Sequence, residues 1–197
     1  MTTSTRVDAW LLPVVRGAAD APELVAVVGP DDTAKISRLG LASDRDRAVS
    51  ARVAARAEIG RRLGIPAAGV PLVGDDRRWV AGSDVTVSWS HSGGWIALAI
   101  AHDLAVGIDI EKVPDHLDLD ALAEVGVASL PAFVGLEAAS KATSCVYAPA
   151  WPPHITVRRL TAPQGYVAAV AAPGNEWCVE VHMRSPLEQW SASCANR

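Results

Sequence analysis

The chain has 197 residues, 50% of them apolar and 20% charged, which implies one domain or two small halves sharing an interior and excludes both a large multidomain assembly and a disordered chain. Eighteen basic residues against 22 acidic ones give a net charge of −4, with no long block of either sign. Nucleic acid and anionic membrane are therefore not expected partners, and any anion site must be local.

At the start, MTTSTRVDAW lacks a basic segment leading into an apolar run, and no window reaches the roughly eighteen uninterrupted apolar residues of a membrane span, so a cytoplasmic, reduced protein is expected. Residues 7–15 and 24–28 read as short strands around a Gly/Ala/Asp/Pro loop. The clearest helix follows over 44–63. Ser43 or Asp44 can cap it, Val49, Val53, Ala57, Ile59 and Leu63 supply an apolar stripe, and Gly64 and Pro66 end it. Its other face carries Arg45, Arg47, Arg52, Arg56, Arg61 and Arg62. That face reads first as solvated surface partly paired with Asp44, Asp46 and Glu58, with one or two arginines left for a phosphate.

Residues 85–101, VTVSWSHSGGWIALAIA, and 155–172, ITVRRLTAPQGYVAAVAA, have the same plan. Each begins with a β-branched strand, turns through a loop ending in glycine, and returns through alanine-rich residues on which a helix could pack closely. Each also follows a helical stretch, the second over 131–143. The expected fold is α+β, with two pseudo-symmetric halves, 1–105 and 106–197, each a small antiparallel sheet with a packed helix, and a ligand cleft between them. Cys145, Cys178 and Cys194 are odd in number and lack C-x-x-C spacing, which argues against a disulfide framework or a zinc site.

Three segments carry chemistry. In VGIDIEKV, 106–113, strand alternation puts Asp109 and Glu111 on one side and Ile108 and Ile110 on the other. Paired carboxylates suit either open solvent or a hard divalent cation, and Gly107 admits a ligand or a neighbouring backbone. In EAASK, 137–141, Glu137 and Lys141 share a helix face, as a surface ion pair or as a carboxylate beside a metal and an ammonium beside a phosphate. SWSHSGG, 88–94, offers hydroxyls, an imidazole and turn N–H groups, and Arg77 and Arg78 lie shortly upstream.

In this order, the S-H-S turn, the G-I-D-I-E strand and the E-A-x-x-K helix resemble the 4′-phosphopantetheinyl transferase superfamily, in its Sfp-type branch, over roughly residues 41 to 172. The resemblance implies Mg²⁺-dependent transfer of the phosphopantetheine arm of coenzyme A to a serine of an acyl or peptidyl carrier protein, releasing adenosine 3′,5′-bisphosphate. It implies that Asp109, Glu111 and Glu137 hold the metal, with Glu137 a candidate base, and that Lys141 contacts the pyrophosphate. Ser90 and His91 would lie at the 3′-phosphate region, with Arg45 or Arg47 completing it, and Arg77 and Arg78 stand where a basic G-[KR]-P segment is usual. A monomer is expected. The sequence departs from the family pattern at Phe133 (usually tryptophan), at Leu136 (usually lysine) and in a shortened 112–132 connection. These departures leave open an alternative, a weak or inactive relative that binds coenzyme A or a carrier protein as a regulator or partner.

Overall fold

Period-two alternation in the strands sorts the apolar residues onto two faces, and each face finds a different neighbour. A computed structural model describes residues 5–74, 78–124, 126–143 and 154–183. In chain order the main elements are β1 (Thr5–Pro13), α1 (Pro22–Val28), α2 (Pro30–Ile36), α3 (Ala42–Leu63), β2 (Leu72–Val73), β3 (Arg78–Val80), β4 (Val85–Ser92), β5 (Trp95–His102) and β6 (Gly107–Lys112). They continue with α4 (Leu119–Glu124), α5 (Leu130–Thr143), β7 (Ile155–Leu160), β8 (Tyr166–Pro173) and β9 (Trp177–His182). The fold is α+β, with a six-stranded sheet in the order β2-β3-β4-β5-β1-β9 and a three-stranded sheet in the order β6-β8-β7.

On one face of the larger sheet, Trp10, Ile96, Leu98, Ile100 and Val87 pack against Ala51, Ala54, Ala55 and Ile59 of α3. On its other face Val7, Ala9, Leu11, Ala97, Ala99 and Ala101 meet Ile108, Ile110, Ala168 and Val170 of the smaller sheet. The far side of the smaller sheet, including Ala169 and Ala171, is covered by Val134, Ala138 and Ala142 of α5. The alanines of the two returning strands therefore do different jobs. Those of β8 split between helix and sheet, whereas Ala97, Ala99 and Ala101 of β5 bring sheet against sheet and not, as expected, a helix against a strand.

Both expected hairpins form, β4 with β5 and β7 with β8, each antiparallel. Strand β9 crosses back to the larger sheet and lies parallel to β1. The segment 24–28, expected as a strand, is the helix α1 instead. Pro22 sits in its first turn and Gly29 ends it, and the helix buries Val27 and Val28 against Val49 and Val53 of α3. Neither Ser43 nor Asp44 caps α3. Leu41 occupies the cap without a side-chain bond, and Arg45 donates to the Leu39 and Gly40 carbonyls, holding the incoming chain.

The basic face of α3 is only partly solvated. Arg52 pairs with Asp32 of α2 at 3.0 Å and lies over the Trp89 ring, and Arg56 donates to the Val70 carbonyl at 2.6 Å. Among the described residues no helix is long and apolar enough to cross a membrane. Cys178 is an exposed free thiol on β9, and Cys145 and Cys194 lie outside the described residues.

Candidate functional site

Strands β4 and β6 run side by side, one in each sheet, and side-chain hydroxyls join them. Thr86, Ser88, Ser90 and Ser92 share one face of β4 because they alternate with Val87, Trp89 and His91. Thr86 Oγ1 donates to the Leu104 carbonyl at 2.5 Å, and Ser88 Oγ accepts the Ile108 N–H at 3.1 Å. Ser90 Oγ donates to Asp109 Oδ1, and Ser92 Oγ to Glu111 Oε2, both at 2.7 Å. Ser92 Oγ also accepts the Lys112 N–H at 3.0 Å. Four hydroxyls thus link the sheets where no backbone ladder does, and two of them hold the two carboxylates singled out in the sequence.

The other wall is α5. Lys141 Nζ lies 2.6 Å from Asp109 Oδ1 and donates to the Ile108 carbonyl at 3.3 Å. This approach needs Gly107, since a Cβ there would collide with the Ala138 carbonyl oxygen and sit 2.5 Å from the Ala142 nitrogen. The glycine therefore serves a neighbouring backbone and lets α5 lie directly on β6. Asp109 is 3% exposed, and its second oxygen, Oδ2, is buried without a hydrogen-bond partner. A buried carboxylate oxygen left without a donor is costly unless a cation or a ligand donor completes it.

Burial, with the neighbouring charges of Asp109 and Glu137, pushes the Glu111 carboxyl above its ordinary pKa, against the Ser92 hydrogen bond and the Lys141 charge, which favour ionisation. Glu137 is half-buried on α5 and makes its presence felt at Glu111 through this field. Asp109, Glu111 and Glu137 form no triplet of ligand atoms all within 4.8 Å of one another among the described residues. The donor set fits a hard cation held by two carboxylates with substrate phosphates completing its shell, which is the usual arrangement for magnesium.

His91 points to the opposite side of β4 from the serines. Burial first, and then the charges of Arg47, Lys141 and Arg52, hold its pKa below the ordinary value, although a backbone hydrogen bond favours the charged form. The charged imidazolium is thus disfavoured there, in surroundings that are positive overall. Arg47 reaches the tip of the β4–β5 hairpin, donating to the Gly93 carbonyl at 3.2 Å while paired with Asp44. Ser90 and His91, expected together at one phosphate, face different neighbours, because adjacent strand residues point apart. Arg45 is occupied by carbonyls of the loop before α3. Arg77 lies outside the described residues, and Arg78 opens β3, where its backbone pairs with Val87.

Beside α3 a cavity of about 340 Å³ is lined by Gly29, Asp32, Lys35, Arg52, Arg56 and Trp89, among others. Asp31 and Asp32 line it too, and Asp32 pairs with Arg52 and lies 3.8 Å from Arg56, so the opening mixes both charges around an indole. The sequence singled out neither Lys35 nor Trp89 for this. The signal available was the basic face of α3, but the loop and helix that complete the cavity come from 29–35, part of a region whose helices were not recognised.

Leu136, at the position expected to have lost a lysine, is 5% exposed. Leu136→Lys is expected to destabilise the fold by roughly 2 kcal/mol or more, because an ammonium replaces buried hydrocarbon, and not to raise activity. Thermal melting of the variant beside wild type checks this.

A second charged cluster has no motif in the sequence. Asp8 of β1 and Glu180 and His182 of β9 have ligand atoms within 4.8 Å of one another, close enough to hold a metal ion. Two guanidiniums already serve these carboxylates, Arg62 at 2.6 Å and Arg6 at 3.2 Å from Asp8. His182 lies 3.2 Å from Asp8 and stacks on Trp10. Burial alone would raise the Asp8 pKa. Hydrogen bonds from Arg62 and His182, with the charges of Arg62 and Arg6, outweigh it and leave the carboxyl below its ordinary value of 3.8. A depressed carboxyl pKa contributes stability above the unfolded-state value, and that contribution is lost as pH falls through the folded-state value. Asp8→Asn should therefore destabilise the protein by about 2 kcal/mol at pH 7, with the difference from wild type shrinking below about pH 4. Urea unfolding across that pH range measures both.

No family model matches the chain. It is similar to the 4′-phosphopantetheinyl transferase HetI of Nostoc sp., with 26% identity over 130 residues, covering 61% of this chain and 54% of that protein. The chain thus spans about half the length of that relative. At this level the similarity is that of a distant relationship to a phosphopantetheinyl-transferase-like protein.

Proposed function

We propose that the protein transfers the 4′-phosphopantetheine arm of coenzyme A to a serine of an apo acyl or peptidyl carrier protein, in a magnesium-dependent reaction releasing adenosine 3′,5′-bisphosphate. The observation that carries this reading is the meeting of Ser90 of β4, Asp109 of β6 and Lys141 of α5, with Asp109 Oδ2 buried and unpartnered. The distant similarity to a phosphopantetheinyl transferase supports it.

In this reading the helix before each β-hairpin marks two pseudo-symmetric halves, 1–105 and 106–197, with β9 of the second half returning to pair with β1 in the larger sheet. Coenzyme A lies along the seam between them, and the chain acts as a cytoplasmic monomer. The carrier serine attacks the β-phosphorus of coenzyme A. The bond from that phosphorus to the bridging oxygen breaks, and adenosine 3′,5′-bisphosphate departs with the electron pair. Asp109 and Glu111 would hold Mg²⁺, which when bound neutralises pyrophosphate charge. Glu137, half-buried on α5, takes the serine proton. Lys141, partly exposed beside Asp109, donates to the pyrophosphate and stabilises the charge that builds there. His91, in the positive field of Arg47, Lys141 and Arg52, receives an anionic group at the adenosine end. Arg45, Arg77 and Arg78 are secondary candidates for the same phosphate.

Incubation with coenzyme A, Mg²⁺ and a panel of apo-carrier proteins, followed by mass spectrometry of the carriers, tests the proposal. A gain of one phosphopantetheine on a carrier is the expected result. Binding of coenzyme A with no gain on any carrier would replace the transferase reading with that of a non-catalytic binding protein.

A further inference from the structure

We infer that Ser92 is a positioning residue for the Glu111 carboxylate, an inference that rests on the metal-dependent reading above. The four hydroxyls along β4 are not equivalent. Thr86 and Ser88 bond only backbone groups of the facing segment, the Leu104 carbonyl and the Ile108 N–H, and so join the sheets. Ser92 bonds both a backbone group and a carboxylate. The Lys112 N–H fixes its oxygen from one side at 3.0 Å, and its own proton is then directed to Glu111 Oε2 at 2.7 Å.

This tether opposes a real force. Glu111 has three rotatable bonds, is half-buried, and feels the negative charges of Asp109 and Glu137. Left alone, such a carboxylate swings toward water and away from its neighbours. The hydroxyl holds one oxygen in place, so that the carboxylate stays beside Asp109 instead of turning outward.

Ser92 is itself held. Gly93, with φ of 54°, and Gly94 form the hairpin tip. Tyr166 Oη accepts the Gly94 N–H at 3.0 Å from the β8 side, while Arg47 donates to the Gly93 carbonyl from the α3 side. A Cβ on Gly93 would stand 2.5 Å from Tyr166 Oη at a φ of 54°, so that position favours glycine. Ser92 therefore sits on a turn clamped from both sides and transmits that rigidity to Glu111.

Mn²⁺ binding in the presence of coenzyme A, followed by electron paramagnetic resonance, tests the assignment without any turnover. Ser92→Ala is expected to weaken Mn²⁺ binding about tenfold or more, as loss of a partner that orients a metal ligand does, with little change in melting temperature. Ser92→Thr should bind like wild type. In a Glu111→Ala background, Ser92→Ala should have no additional effect. Wild-type affinity in Ser92→Ala, or an equal loss in the Glu111→Ala background, overturns the positioning role while leaving the transferase reading intact. Absence of Mn²⁺ binding by the wild-type protein with coenzyme A would remove the metal site itself, and this inference with it. Should Ser92→Ala fail to fold, Ser92→Cys keeps the volume with a weak donor and is expected to show the same loss of affinity. Wild-type affinity there overturns the role equally.

Discussion

Asp109→Ala is expected to lower phosphopantetheine transfer to a carrier by at least about 100-fold, on the scale seen when a metal-orienting or charge-stabilising group is removed. Little or no stability should be lost with it. In the folded protein Asp109 is almost wholly buried, with Oδ1 held by Lys141 and Ser90 and Oδ2 without a partner, so the cost of the unpartnered oxygen offsets what the ion pair contributes to the fold. Its removal also lessens the negative field at Glu111. Lys141 loses its ion pair, but its side chain is 28% exposed and can rehydrate. Asp109→Asn separates charge from shape. It keeps an acceptor for the Ser90 hydroxyl and loses the negative charge, and it should be nearly as inactive as the alanine variant. Initial rates of carrier modification and melting curves on the same preparations make the check. Turnover unchanged in Asp109→Ala would take this residue out of the reaction, whereas a large loss of stability alongside inactivity would make its role structural.

The second large effect is structural. Gly107→Ala is expected to cost about 3 kcal/mol, at the upper end for overpacking, since the new Cβ meets the backbone of α5, which cannot rotate out of the way. For a chain of this size that corresponds to a drop in melting temperature of about 6 to 12 °C. Transfer should fall too, because any retreat of α5 from β6 draws Lys141 away from Asp109. Gly69→Ala is the matched control. A Cβ there meets nothing within 4 Å, so its melting temperature should stay near that of wild type. Equal melting temperatures for the two variants would show that α5 does not rest on Gly107 as described.

Much of the fold can be read from the residues. Both hairpins follow from β-branched alternation interrupted by glycine turns, and α3 and α5 follow from their period and length. The misreading of 24–28 has a definite cause. LVAVV is a short apolar run rich in β-branched residues, and periodicity alone cannot separate a strand from a buried helix over so few positions. What decides it is the proline in the first turn and packing against α3, and the second of these is tertiary.

The pairing of carboxylates on β6 was equally legible, since Asp109 and Glu111 are two apart on a strand. Their partners were not. Ser90 and Ser92 looked like turn serines or phosphate ligands, although T-x-S-x-S-x-S is a period-two hydroxyl face that could have been recognised as the edge meeting another strand. Which strand it meets depends on how the sheets stack, and local sequence does not encode that. The Asp8, Arg62 and His182 cluster joins residues from β1, α3 and β9, and its one local trace is an acidic residue in the otherwise apolar run VDAWLL.

Strand β9 has a consequence for how the protein comes to be made. Its partner β1 leaves the ribosome more than 160 residues before residues 177–182, with the smaller sheet and α5 made in between. Until they emerge, β1 presents an open row of amide and carbonyl groups that other nascent chains could pair with. The larger sheet can reach its full width only after the smaller sheet and α5 have been synthesised. Production at low temperature or with chaperones should therefore raise the yield of folded protein.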